Sequence, residues 1–181
     1  PRVDSARRPE CVNLSVALRV RDLCAFLGVD TVMTRDTEEI TYPSEAKTIA
    51  AMKKWDTRRR VEIAESVDSP VFLSIHQNIY PSSGPHGSQV LYAQNEPSRA
   101  LAELIQSRLT AALLPENRRV PVPAGKDIYI MSHVQCTAVL VECGFLSHPQ
   151  ELSLLQSADY QKKIASVLTA CYLQFTEKGV L

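Results

Sequence analysis

The sequence has no apolar run long enough to cross a bilayer, no surplus of either charge and no CxxC pair. A membrane-spanning helix needs about 20 mainly apolar residues in succession, so the first absence excludes a helical span. The 20 lysines and arginines equal the 20 aspartates and glutamates. That balance argues against a broad basic surface for nucleic acid or anionic lipid. The densest basic cluster, Arg58-Arg59-Arg60, is too short to change this. The five cysteines (Cys11, Cys24, Cys136, Cys143 and Cys171) are odd in number and widely spread. They read as small packing hydrophobes with at most one bridge, not as a zinc ribbon or a disulfide scaffold, and they leave the redox compartment open. Also lacking are a Walker loop, a GxGxxG turn and a GxSxG elbow, which removes the common nucleotide-binding and serine-hydrolase readings. The chain starts at Pro1 with neither methionine nor signal-peptide pattern, which points to a processed or shortened start.

What is there is a chain of 181 residues, 45% hydrophobic and 22% charged, which suits one domain with a real core. Between Glu10 and Leu27, Val12, Val16, Val20, Leu23 and Leu27 recur at helical steps, with Pro9 fitting the first turn and Gly28 the stop. Val29–Thr34 reads as a short strand, and Glu45 to Val67 as a second helix closed by Pro70. Val71–Ile75 is a continuous apolar run, as expected of a strand covered on both faces. A turn-rich stretch at 80–88 leads to a strand at Gln89–Ala93 and a helix from Ser98 to Leu114. Arg118–Lys126 reads as a loop, Ile128–Met131 as a short extended piece, and Thr137–Val141 as the strongest buried strand. Two helices, near Gln150–Gln156 and Ala158–Phe175, close the chain. Strands alternating with helices predict a single three-layer α/β domain, a mostly parallel twisted sheet with helices on both faces.

In such sheets function gathers just past the carboxyl ends of the strands. Two places qualify: Ser74-Ile75-His76-Gln77-Asn78, and Val141-Glu142-Cys143-Gly144-Phe145. Glu142 follows a buried apolar run, where an ionised carboxylate needs a partner, so it is a candidate functional acid. The alternative is a glutamate that has already left the sheet for solvent. His76 alone reads more simply as a hydrogen-bonded strand-end histidine. With a carboxylate on the same sheet edge it becomes raw material for a zinc site. Glu10, in the first turn of the first helix, suits the helix dipole and is a third candidate, with Asn13 on the same face. His86 and His133 lie in or near loops. Arg35 and Arg60 read as braces, and Cys143 as a packing residue.

In order along the chain, Glu10-Cys-Val-Asn13-Leu14, Met33-Thr34-Arg35, Arg60-Val-Glu-Ile-Ala64, Leu73-Ser-Ile-His76-Gln-Asn78 and Val139-Leu-Val-Glu142-Cys-Gly-Phe-Leu-Ser147 resemble the zinc-dependent N-acetylmuramoyl-L-alanine amidases of cell-wall and sporulation type. The resemblance runs from Glu10 to about Phe175. It implies zinc as cofactor, held by Glu10, His76 and a second histidine, with Glu142 as the catalytic carboxylate. It also implies peptidoglycan as substrate and hence an extracellular or cell-wall location. The chain itself is expected to act as a monomer, with no nucleic-acid partner and no membrane span. Substrate-binding residues are not specified by the resemblance. In the family the other zinc histidine lies in a glycine-rich loop after an initial buried strand. Residues 1–9, PRVDSARRP, contain neither. The 1–181 domain is therefore expected to lack that strand and loop, through truncation, with a diverged metal-free homologue as the rival account. Glu65, Thr137 and His148 also depart from the residues usual in the family. Two other functions stay open: a non-catalytic peptidoglycan-binding or regulatory module that has lost its metal, and, ranked last, a glycosidase pairing Glu142 with Glu10.

Overall fold

The structure is a computed structural model. It describes residues 9–177, and the side chains of Pro9 and Glu10 lie outside the described residues. Helix α1 (Pro9–Phe26) is followed by α2 (Ile49–Glu65), strand β1 (Val71–Asn78), β2 (Gln89–Tyr92) and α3 (Glu96–Leu113). Then come β3 (Val122–Pro123), α4 (Tyr129–His133), β4 (Thr137–Phe145), α5 (Pro149–Gln156) and α6 (Ala158–Glu177).

The four strands form one sheet in the order β1-β4-β2-β3. The pairs β1–β4 and β2–β3 are parallel, and β2–β4 is antiparallel. The expected α/β sheet between helical layers therefore holds, the sheet itself being mixed, with two of its three pairings parallel. β4 shows how the layers arise, because successive side chains of a strand leave opposite faces. Val139, Val141 and Cys143 join Val12, Val16 and Val20 of α1, Leu101 and Ile105 of α3, and Ile164 and Leu168 of α6. Ala138 and Leu140 join Val61 and Ala64 of α2 and Met131 of α4 on the other face. Cys24, Cys143 and Cys171 are buried thiols, so their packing role is the observed one.

Local chemistry explains where the helices start and stop. Gly28 takes a left-handed conformation (φ 73°), and the Val29 amide returns to the Cys24 carbonyl at 2.8 Å, closing α1. The Thr48 hydroxyl accepts the Ala51 amide at 3.1 Å and so starts α2. That cap places the start at Ile49 rather than Glu45. Asn95 caps α3 by accepting the Ser98 amide at 2.9 Å, and its own Nδ2 donates to the Cys136 carbonyl at 3.1 Å. The Ser98 hydroxyl accepts the Ala138 amide at 2.8 Å, which fastens the start of α3 to β4.

Three expectations fail. Val29–Thr34 forms no strand: it pairs with none of the four strands and stands off from the free edge of β1 across a cavity. Ile128–Met131 is not extended: residues from Tyr129 form the single turn of α4, which packs Met131 and Ile130 beneath the sheet. The 118–126 loop includes the two-residue strand β3, paired to Leu91 and Tyr92. Along the edge of β1 that β4 does not cover lies a cavity of about 710 Å³. It is walled by Val29–Thr34 on one side and by Val71, Leu73 and Ile75 on the other.

Candidate active site at the carboxyl ends of β1 and β4

His76 on β1 is the register partner of Glu142 on β4, and Glu142 is in turn the partner of Gln89 on β2. Register partners share a sheet face, so the three side chains stand in one row across three strands. On this face the sheet changes from apolar, at Phe72, Ala138 and Leu140, to polar, at Ser74, His76 and Glu142. The alternation that buries Val141 and Cys143 on one side is thus what presents Glu142 on the other.

Glu142 is half-buried, and its Oε2 is buried with no hydrogen-bond partner. Burial pushes its carboxyl from 4.5 up to about 7. His76 is half-buried too. Its pKa is held below 6.5, first by burial and then by the positive charges of Arg60 and Arg35. At neutral pH the imidazole is therefore uncharged, with a lone pair free to ligate or accept. Arg60 is fixed by Asp56 (Nε to Oδ2, 3.0 Å) and donates to the Thr34 hydroxyl at 3.2 Å. It braces α2 against the 30s segment, as expected, and also acts electrostatically on His76.

Just past Glu142 the pairing slips by one residue between His76 and Asn78, a bulge that turns the end of β4. The buried Glu151 of α5 holds this end. Its Oε2 accepts the Phe145 amide at 2.8 Å and its Oε1 accepts the Gly87 amide at 2.9 Å. Gly144 makes room for it, since a Cβ there would stand 3.2 Å from Oε2 and 3.3 Å from the Leu155 side chain. Ser147 completes the corner by accepting the Tyr80 amide at 3.1 Å. The motif running from Glu142 through Ser147 is thus one acid followed by the parts that fix its strand end.

Of the residues expected in the site, the structure brings His76 and Glu142 together. Glu10 belongs to the first turn of α1, but its side chain lies outside the described residues, so its approach to the pair is not seen. Among the described residues no three His, Cys, Asp or Glu side chains form a metal-binding group. The neutral imidazole of His76 is a donor that suits zinc, and beside it stands a carboxylate with one oxygen left unpartnered. His133 does not belong here. It stacks on Tyr129 with centroids 3.8 Å apart and precedes the amino end of β4, about five residues or roughly 16 Å of strand from Glu142. His86 is exposed on the rim, its ring 5.1 Å from that of His148. Sequence reasoning missed Glu151 and Gln89. Glu151 looks like an ordinary first-turn acid, and no sequence signal shows that Gln89 stands opposite Glu142.

The sequence profile of the N-acetylmuramoyl-L-alanine amidases matches residues 9–171. The germination-specific N-acetylmuramoyl-L-alanine amidase of Bacillus subtilis is 36% identical over 173 residues, 93% of this chain and 71% of that protein. The amidase LytC of the same organism is 31% identical over 160 residues, 87% of this chain and 29% of LytC. Among solved structures, the CwlD amidase of Clostridioides difficile, in complex with the GerS lipoprotein, superposes with a TM-score of 0.87 at 30% identity. That match covers 92% of this chain and 85% of CwlD.

Proposed function

The chain belongs to the N-acetylmuramoyl-L-alanine amidase family, and on that premise we propose that it hydrolyses peptidoglycan at a zinc site. The bond cut is the amide between the lactyl group of N-acetylmuramic acid and L-alanine. The observation that carries this reading is the pairing of His76 with a Glu142 carboxyl that has an unpartnered oxygen and a proton affinity near neutrality.

Zinc bound there would lower the pKa of a water and polarise the scissile carbonyl. His76 and Glu10 are the ligands this chain supplies in this reading. Glu142 takes the proton from the attacking water at Oε2 and hands it to the departing L-alanine nitrogen. A carboxyl with a pKa of about 7 suits both halves of that transfer, because neither the acid nor the base form is scarce at neutral pH. Burial of Oε2 limits the access of bulk water to the transferred proton, and Glu151 keeps the strand end from shifting.

The cavity of about 710 Å³ along β1 fits the same reading of the domain. An upstream strand, parallel to β1 and covering Leu73 and Ile75, would fill it and deliver a further histidine to the edge where His76 stands. We read the catalytic unit as a monomer at the cell wall, where its substrate is. The C. difficile relative, by contrast, was solved in complex with a lipoprotein.

The experiment is to measure turnover and zinc content together for the wild type and for Glu142→Ala, in a chain extended upstream by such a strand. Release of new amino termini should vanish in the variant while about one zinc per chain remains. A variant that keeps turnover would refute the role of Glu142. An active wild type without zinc would refute the metal reading.

A further inference from the structure

Arg119, in the loop before β3, is half-buried and its guanidinium is fixed from three sides. Nε donates to the His86 carbonyl at 2.8 Å, Nη1 donates to Gln89 Oε1 at 3.0 Å, and Cζ lies 4.7 Å from the centroid of the Phe145 ring. The other end of the Gln89 amide donates to the Val120 carbonyl at 3.1 Å, so that side chain is wholly committed to this loop. The Arg119 backbone amide donates to Asn117 Oδ1 at 3.1 Å, and Asn117 Nδ2 donates to the Ser88 carbonyl at 2.9 Å. A guanidinium carries five N–H donors, of which two are used. No carboxylate among the described residues makes an ion pair with it. The result is a positioned cation with open donors, whose ordering cost is already met and which suits bidentate capture of a carboxylate.

Its place in the fold ties it to the active site. Gln89, which holds the guanidinium, is the register partner of Glu142. The Gln89 and Glu142 side chains leave one face a strand spacing of about 5 Å apart, and the 3.0 Å bond from Gln89 carries on to the guanidinium, which places it on the order of 5–8 Å from the Glu142 carboxyl. An extended peptide advances about 3.5 Å per residue, so that distance reaches a group on the second residue beyond the scissile amide.

We propose that Arg119 is a specificity-determining substrate residue that binds the free α-carboxylate of the second stem-peptide residue, a γ-linked D-glutamate. This rests on the amidase reading above, with L-alanine as the first residue. A substrate carrying a carboxamide at that position loses the charge and one acceptor oxygen, and is bound more weakly.

The test is calorimetric titration of N-acetylmuramoyl-L-alanyl-γ-D-glutamate and of its α-carboxamide against wild type, Arg119→Met, Arg119→Lys and Arg119→Ala. The metal-free protein serves, so binding is read without turnover. Wild type should prefer the carboxylate by about tenfold or more, Arg119→Lys by less, and Arg119→Met and Arg119→Ala not at all. On cleavable substrate Arg119→Met should raise KM for the carboxylate form while kcat holds. Arg119→Met keeps the packing on Phe145, and its melting temperature shows whether the fold survives. The proposal is overturned if wild type shows no preference or binds neither ligand. It is equally overturned if the preference survives in Arg119→Met, or if both ligands weaken by the same factor there, as for a mere loop brace. A wild type extended upstream as in the activity test above, which prefers the carboxylate yet cleaves neither form, would instead overturn the amidase reading and leave Arg119 standing.

Discussion

His76 and Glu142 are register partners across the parallel pair β1–β4, and the Glu142 oxygen Oε2 is buried with no hydrogen-bond partner. Such an acid is a cost to the fold. Below pH 4.5 it is protonated in both states. As pH rises from 4.5 towards 7 the unfolded chain releases the proton first, so the folded state loses stability over that window and no further above it.

Glu142→Gln removes this cost. In chelator the variant should match wild type near pH 4 and exceed it at pH 8, by up to about 3 kcal/mol. Urea unfolding at the two pH values checks this, and an equal difference at both would refute the burial account. The same variant should have no measurable turnover.

Arg60→Met should raise the pKa of His76, because Arg60 is the largest charge effect holding it down. The value should stay below 6.5, since burial contributes more than the charge. Imidazole proton shifts followed through a pH titration of the metal-free protein give the answer. No movement would mean that the Arg60 charge is screened from the ring.

Glu151→Ala should cost about 3 kcal/mol, because it leaves the buried amides of Phe145 and Gly87 without acceptors. Gly144→Ala, which presses on the same carboxylate, should cost about 1–3 kcal/mol. The two should not add, since both act on one carboxylate. Chemical denaturation of the single and double variants measures this.

Asn95→Ala should cost about 2 kcal/mol through loss of the α3 cap and of the bond to the Cys136 carbonyl. Asn95→Asp, which keeps the capping oxygen, should recover about half. Thermal melting of the two variants is the measurement.

The helices that sequence placed well, such as α1 with Val12, Val16 and Val20 inward, were legible because burial periodicity is a local property of the chain. The same logic marked β1 and β4, whose apolar runs answer to cover on both faces. Val29–Thr34 failed for the opposite reason. A strand exists only when it pairs with another, and the cavity keeps this segment out of hydrogen-bonding reach of the free edge of β1. Ile128–Met131 failed because four apolar residues carry too little periodicity to separate one helical turn from an extended piece.

For the candidate site, sequence alone determined the residue types: a histidine and a glutamate at the ends of two buried strands, with glycine and serine following the acid. Tertiary structure alone decided that His76, Glu142 and Gln89 fall in one row, because register between strands far apart in sequence is set by the packing of both sheet faces. It also decided that Glu151 spends its charge on two backbone amides while Glu142 keeps an unpartnered oxygen. Both are glutamates near the end of β4. Which one is left reactive depends on which amides lie within reach, and only the folded chain sets that distance.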